Sequence, residues 1–154
     1  MKWIPQDIDL YEQAKEYVDT AVLPLFPVSF DTKMKETAGM SEFINLLTIQ
    51  LERQLKGRLL LLPGFIYIKN KNWEKYIHEI HNWEQELQAK GFKHLFLVTS
   101  DSDWKAVENQ VSSKLIWLPS LPFEDMEDKY KNSLLEDQVK QLMNLLFQKW
   151  QQAE

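Results

Sequence analysis

The chain has no cysteine. Disulfides, thiolate nucleophiles and cysteine-held zinc or iron–sulfur centres are thereby excluded, and a reducing compartment is compatible with the sequence. Glycine is also scarce, with Gly39, Gly57, Gly64 and Gly91 the four in 154 residues. Neither G-x-G-x-x-G nor G-x-x-x-x-G-K-[ST] occurs, so a dinucleotide or nucleoside triphosphate held on a glycine-rich phosphate loop is not expected. Positive charge is short: 18 Lys and Arg stand against 23 Asp and Glu, a formal net charge of −5. Non-specific nucleic-acid binding needs basic groups to displace condensed counterions, and the best basic cluster here, Lys69-Asn70-Lys71, reads as a turn. No apolar run approaches the ~20 residues of a membrane helix. The stretch Met1 to Asp7 lacks the apolar core of a secretory signal. These absences lead us to expect one soluble, cytoplasmic domain over 1–154, with no cofactor, no nucleic-acid partner and no membrane insertion.

What is present is a 44% hydrophobic chain, of a length that buries a full core. Three short apolar runs stop at Leu-Pro: Ala21 to Pro24, Leu59 to Pro63 and Leu115 to Pro119. A fourth, Leu95 to Val98, stops at Thr99-Ser100-Asp101. Uncharged runs of this length read as buried parallel strands, and proline, which lacks a ladder donor, reads as their exit. The strands are expected at 20–25, at 58–68 with an interruption at Pro63-Gly64, at 93–99 and at 114–118. Between them fall helical periodicities. Tyr11, Ala14, Tyr17 and Val18 predict a helix over 6–18. Ile44, Leu47, Leu51 and Leu55 predict one from a Ser41 cap to Gly57, after a long polar connection at 28–40. Trp73, Ile77, Ile80 and Leu87 predict one from Asn72 to Gly91. A short helix is expected from 102 to about 110, and Leu135, Val139, Leu142, Leu146 and Trp150 mark the last.

Strict alternation of helix and strand predicts an α/β fold, a parallel sheet covered on both faces. Right-handed crossovers leave few topologies, of which a three-layer, Rossmann-like (flavodoxin-like) arrangement with four strands in the order 2-1-3-4 is preferred. In such folds ligands sit beyond the carboxyl ends of the strands. The candidate crevice residues are therefore Ser29, Asp31, Gly64, Thr99, Ser100, Asp101 and Ser120. Within this rim Asp101 or Ser102 also suits a simple helix cap, and Asp31 with Asp101 is a candidate carboxylate pair. No histidine is placed at that edge to activate a serine: His94 opens the third strand at its amino end. His78 and His81 are three apart on one helix, which is not the H-E-x-x-H spacing, and no metal is expected there.

Six tryptophans are many for this length. The apolar arcs of the third and last helices are wider than one sheet face covers. Either the first and last helices pack together and absorb the excess, or a second molecule covers it. Trp73, Trp83, Met143, Phe147 and Trp150 are the candidate interface residues, since aromatic and methionine side chains favour interface cores. A protein partner or a second copy of the chain is the expected occupant, while a small-molecule ligand stays open at the crevice.

The N-terminal stretch, Lys2-Trp3, Asp7-Ile8-Asp9-Leu10-Tyr11 and Ala14 through Leu25, resembles the uncharacterised YpiF-like proteins of Bacillus and related Firmicutes. The resemblance brings no catalytic motif. It implies a Gram-positive cytoplasmic setting and, through gene neighbourhood with the menaquinol–cytochrome c reductase complex, a role in assembling or regulating a respiratory complex. The missing phosphate loop and the missing nucleophile–base pair favour a non-enzymatic accessory protein. The alternative is a small-molecule or nucleotide-binding enzyme working at the strand ends.

Overall fold

The computed structural model describes residues 1–152. Helix α1 (Pro5–Gln13) and a 3-10 turn (Lys15–Tyr17) lead into strand β1 (Thr20–Val28). Helix α2 (Met34–Gln54), strands β2 (Leu59–Leu61) and β3 (Phe65–Ile68), helix α3 (Trp73–Ala89) and strand β4 (His94–Thr99) follow. A 3-10 helix (Ser102–Gln110), strand β5 (Lys114–Trp117), a 3-10 turn (Phe123–Asp125) and helix α4 (Asp128–Gln152) complete the chain. The strands pair in the order β2-β1-β4-β5, and β3 also pairs with β1, every pairing being parallel. The sheet thus has five strand segments where four were expected, because Pro63-Gly64 cuts the second into two pieces that both lie on β1.

The largest correction concerns the prolines. Pro119 and Pro63 do stand just beyond strands, but Pro24 and Pro27 lie inside β1, the centre of the sheet. Register explains how. Thr20 N donates to Arg58 O, Leu62 N to Val22 O and Lys69 N to Val28 O, so the even-numbered residues of β1 face the 58–69 segment. Pro24 therefore turns its missing donor toward 62–64, the break between β2 and β3. Pro27 is odd-numbered and faces the β4 side, past the last registered pair there, Pro24↔Val98. Each proline sits where no neighbouring strand asks for an N–H, so a central strand tolerates both. Gly64 makes the break fit: its φ is +131°, and a Cβ there would collide with the Phe26 ring.

A second correction concerns 28–40. Helix α2 starts at Met34, so only 29–33 form the connection, and Ser41 is no cap. Ser41 lies within the helix and donates to Pro27 O at 3.3 Å, pinning α2 to β1. Gly39 costs a helix about 1 kcal/mol. Burial of Phe43, Ile44, Leu47 and Leu51 outweighs that cost.

Alternation along β1 divides the core. Ala21, Leu23 and Leu25 face a cluster built with Tyr76, Ile77 and Ile80 of α3 and with Trp104 and Val107, and α1 adds Ile8 and Tyr11. Val22 faces a second cluster made by α2 and α4. The last helix accordingly packs on α2, and α1 lies on the opposite side of the sheet, where Tyr11 stacks on Phe92 at 5.9 Å. Trp150 is buried rather than at an interface. Its Nε1 donates to Thr20 Oγ1 at 2.8 Å, and the Arg58 guanidinium covers its ring at 3.9 Å. Trp73 and Met143 are half-buried against the two cores, while Trp83 and Phe147 remain exposed.

Candidate functional site

From β1 the chain crosses to β2 and β3 on one side and then returns to β4 on the other. The gap between the carboxyl ends of β1 and β4 is thus the switch point of the sheet. A cleft of about 180 Å³ opens there. The loop after β1 supplies Ser29, Asp31 and Lys33. The end of β3 supplies Tyr67, with Lys69 and Lys71 just beyond, and the loop after β4 supplies Asp101 and Asp103. Trp73 and Tyr76 of α3 form the aromatic wall.

At the base lies Asp101, only 1% exposed. Its carboxylate accepts from Tyr67 Oη at 2.5 Å, from Lys69 Nζ at 3.1 Å and from Asp103 N at 3.1 Å. The last bond caps the 3-10 helix that starts at Ser102. Tyr67 Oη in turn accepts from the buried Trp104 Nε1 at 2.8 Å. Lys69 also holds Asp103 Oδ2 at 3.0 Å. Burial works against the Lys69 ammonium, but its bonds to Asp103 and Asp101 outweigh that and hold it above the ordinary lysine range. Burial, and then the Asp101 charge, push the Tyr67 phenol well up, so it stays a neutral donor. Nearer the mouth, Ser29 Oγ donates to Asp31 Oδ1 at 2.5 Å and the Lys33 amide donates to the same oxygen at 2.9 Å. The Ser29 bond, then the Lys33 amide, hold the Asp31 carboxyl below the usual carboxylate range. Tyr76 Oη donates to the Ile68 carbonyl and closes the wall.

Of the expected crevice residues, Ser29, Asp31 and Asp101 meet in this cleft. Thr99 lies beneath it, its Oγ1 accepting from Asp101 N at 3.0 Å. Ser100 is buried with its Oγ unpartnered, and its carbonyl accepts from Trp117 Nε1 at 3.0 Å. Gly64 stands at the strand break against Phe26. Ser120 lines a separate surface groove with Thr32 and Lys35 of the α2 side. Those four are therefore not lining residues of the cleft. Asp31 and Asp101 share the cleft without pairing: each is held by its own donors. His81 Nε2 lies 2.9 Å from the Gln110 carbonyl, and among the described residues no cluster of three metal-ligating side chains forms.

Tyr67 and Trp104 were not singled out from the sequence and Lys69 entered only as part of a basic turn, although a signal exists for Tyr67 and Lys69. In Phe65-Ile66-Tyr67-Ile68-Lys69 strict alternation puts residues 65, 67 and 69 on one face. Chemically the cleft offers three carboxylates, three ammonium groups and an aromatic wall. Its one serine hydroxyl bonds to a carboxylate, and His94 lies at the amino end of the sheet.

The arrangement defines a parallel α/β protein with a small, mixed-charge cleft at its switch point. The chain belongs to the family described as protein of unknown function (DUF2487), whose profile matches residues 9–150. It is 37% identical over 150 residues to the uncharacterized protein YpiF of Bacillus subtilis (strain 168), a match covering 97% of this chain and 98% of that protein. No solved structure matches the chain. No helix among the described residues is long and apolar enough to cross a membrane.

Proposed function

We propose that this is a non-enzymatic, cytoplasmic interaction protein that docks a partner through a bare apolar corner at the carboxyl end of β1 and β3. One observation carries the reading. Phe30, Met34, Ile66 and Ile68 are 73%, 56%, 72% and 56% exposed. They gather at one end of the sheet, since β1 and β3 register Phe26↔Ile66 and Val28↔Ile68, Phe30 lies in the connection just after β1, and Met34 opens α2 after that connection. Contiguous apolar surface of this kind marks interaction sites, whereas scattered apolar residues do not. The finer fold assignment, flavodoxin-like, rests on the parallel strand order with helices on both faces. The resemblance to YpiF-like proteins makes respiratory-complex assembly the first setting in which to seek the partner.

The test is a photoreactive side chain placed at residue 66 in living cells, with Gln85, exposed on α3, as the control position. Adducts at 66 and none at 85 are expected. Equal yields at the two positions would end the proposal.

The cleft supports a second reading, small-molecule binding. Its volume of about 180 Å³ lies below the ~300–1,000 Å³ of typical ligand pockets, which favours a ligand smaller than a nucleotide. In a thermal-shift screen, a specific ligand at a hundredfold excess over its Kd stabilises by about 2.7 kcal/mol. A screen of small amines, acids and zwitterions with no shift removes this reading.

A further inference from the structure

The carboxylates and ammonium groups of the switch-point cleft cancel in number but not in position. β1 lies between β3 and β4, so the segment after β3 forms one bank of the cleft and the loop after β4 the other. On the β4 bank Asp101 and Asp103 share the single Lys69 ammonium, at 3.1 and 3.0 Å, which leaves one negative charge in excess. Asp101 is saturated by Tyr67, Lys69 and the Asp103 amide, so the excess falls on Asp103, whose side chain is 57% exposed. On the β3 bank Lys71 has no acidic partner among the described residues and leaves one positive charge in excess. Asp31 and Lys33, on the connection between the banks, balance one another.

Every side-chain hydroxyl of the lining is already committed. Ser29 Oγ donates to Asp31, Tyr67 Oη to Asp101 and Tyr76 Oη to the Ile68 carbonyl. No free hydroxyl is left to read a sugar, and Trp73 and Tyr76, edge to face at 5.5 Å, offer ring surface instead. A lone anion or a lone cation gains at one bank and is repelled at the other. A molecule that carries both charges, with an apolar part for the wall, gains at both. The cleft volume of about 180 Å³ matches the liquid volume of roughly six waters, which sets the size.

We propose that the cleft holds a free, zwitterionic α-amino acid with an apolar side chain, its carboxylate on Lys71, its ammonium on Asp103 and its side chain against Trp73 and Tyr76. The proposal rests on the small-molecule reading of the cleft and names the ligand class.

The experiment is calorimetric titration of the full chain with alanine, valine, leucine, methionine and phenylalanine. Each is compared with its carboxamide, which carries only the positive charge, and its N-acetyl form, which carries only the negative one. The same titrations are run on Asp103→Asn and on Lys71→Asn, asparagine being a residue that tolerates the φ of +61° at position 71. At least one of the five amino acids is expected to bind one to one, and each of its single-charge derivatives about tenfold or more weakly. Lys71→Asn should weaken the amino acid and abolish its advantage over the carboxamide. Asp103→Asn should do the same for the N-acetyl form. A derivative that binds as tightly as its parent overturns the proposal, and so does either variant binding the amino acid as wild type does. If none of the five binds more tightly than about 1 mM but an amine or an acid from the wider screen does, the small-molecule reading stands and the zwitterion falls. If nothing in either set binds, both fall.

Discussion

Replacing Tyr67 by Phe removes one oxygen and leaves two buried groups without a counterpart. The phenol donates to Asp101 at 2.5 Å and accepts from Trp104 Nε1 at 2.8 Å. Both partners are out of reach of bulk water, Trp104 fully buried and Asp101 nearly so. An unsatisfied buried polar group costs about 1–3 kcal/mol, and more when charged. Asp101 keeps its bonds from Lys69 and Asp103 N, which limits its share. The sum is about 3–4 kcal/mol, or a Tm lowered by roughly 6–16 °C in a domain of this size. Urea unfolding followed by tryptophan fluorescence reads the first value and calorimetry the second. Asp101→Asn in the same background tests the cause. If the two side chains act as one unit, the double variant loses less than the two singles added together, by about 0.5–3 kcal/mol. A Tyr67→Phe protein within about 1 kcal/mol of wild type, or strict additivity with Asp101→Asn, would falsify the view that this network holds the strand ends together.

Gly64→Ala combines a positive φ with a collision against Phe26, whereas Gly91, at φ +95°, meets nothing within 4 Å. Urea midpoints should therefore show Gly64→Ala losing about 2–4 kcal/mol and Gly91→Ala about half that; equal losses would mean that the Phe26 contact is irrelevant. Trp150→Phe leaves Thr20 Oγ1 without its donor and opens a void beside Arg58, which denaturant curves should register as a loss of about 2–3 kcal/mol. Two groups at the amino end of the sheet set the response to acid. Burial pushes His94 below the ordinary histidine value against the pull of Asp19, so the unfolded chain takes up that proton first and stability falls as pH drops through about 6.5. His94→Gln should flatten the stability curve in that window. Burial opposes ionisation of Asp19, but bonds from Arg58 and Thr20 prevail and lower its pKa. Its contribution is therefore present above about pH 3.9 and lost as pH falls below it, and Asp19→Asn should remove that lower step in an acid titration followed by circular dichroism.

The sequence was sufficient wherever the evidence was local. Helical periodicity located α3 and α4, and uncharged apolar runs located β4 and β5. Strict alternation of helix and strand implied the parallel α/β class. Ser29, Asp31 and Asp101 were recognisable because they directly follow strands, and strand ends are where such folds gather polar groups. The resemblance at the N-terminus pointed to the right family.

Register and packing decided the rest, because neither is a property of a single segment. Proline has a strong local meaning, yet Pro24 and Pro27 sit inside β1 because the neighbouring strands break or end beside them. Gly39 and the polar stretch around it read as a loop, but the burial of Phe43, Ile44 and Leu47 against the sheet carries the helix back to Met34. Trp150 looked like surface excess until Thr20 and Arg58, more than ninety residues away in the chain, closed over it. Tyr67 and Lys69 reach Asp101 from the β3 segment and Trp104 reaches Tyr67 from the 3-10 helix, and only the folded sheet brings them within hydrogen-bonding distance. The sequence by itself determined which segments are helix or strand and which residues stand at strand ends. The tertiary structure decided which of those residues meet, which prolines a strand can hold and which apolar face is left bare, since each depends on which neighbour lies alongside.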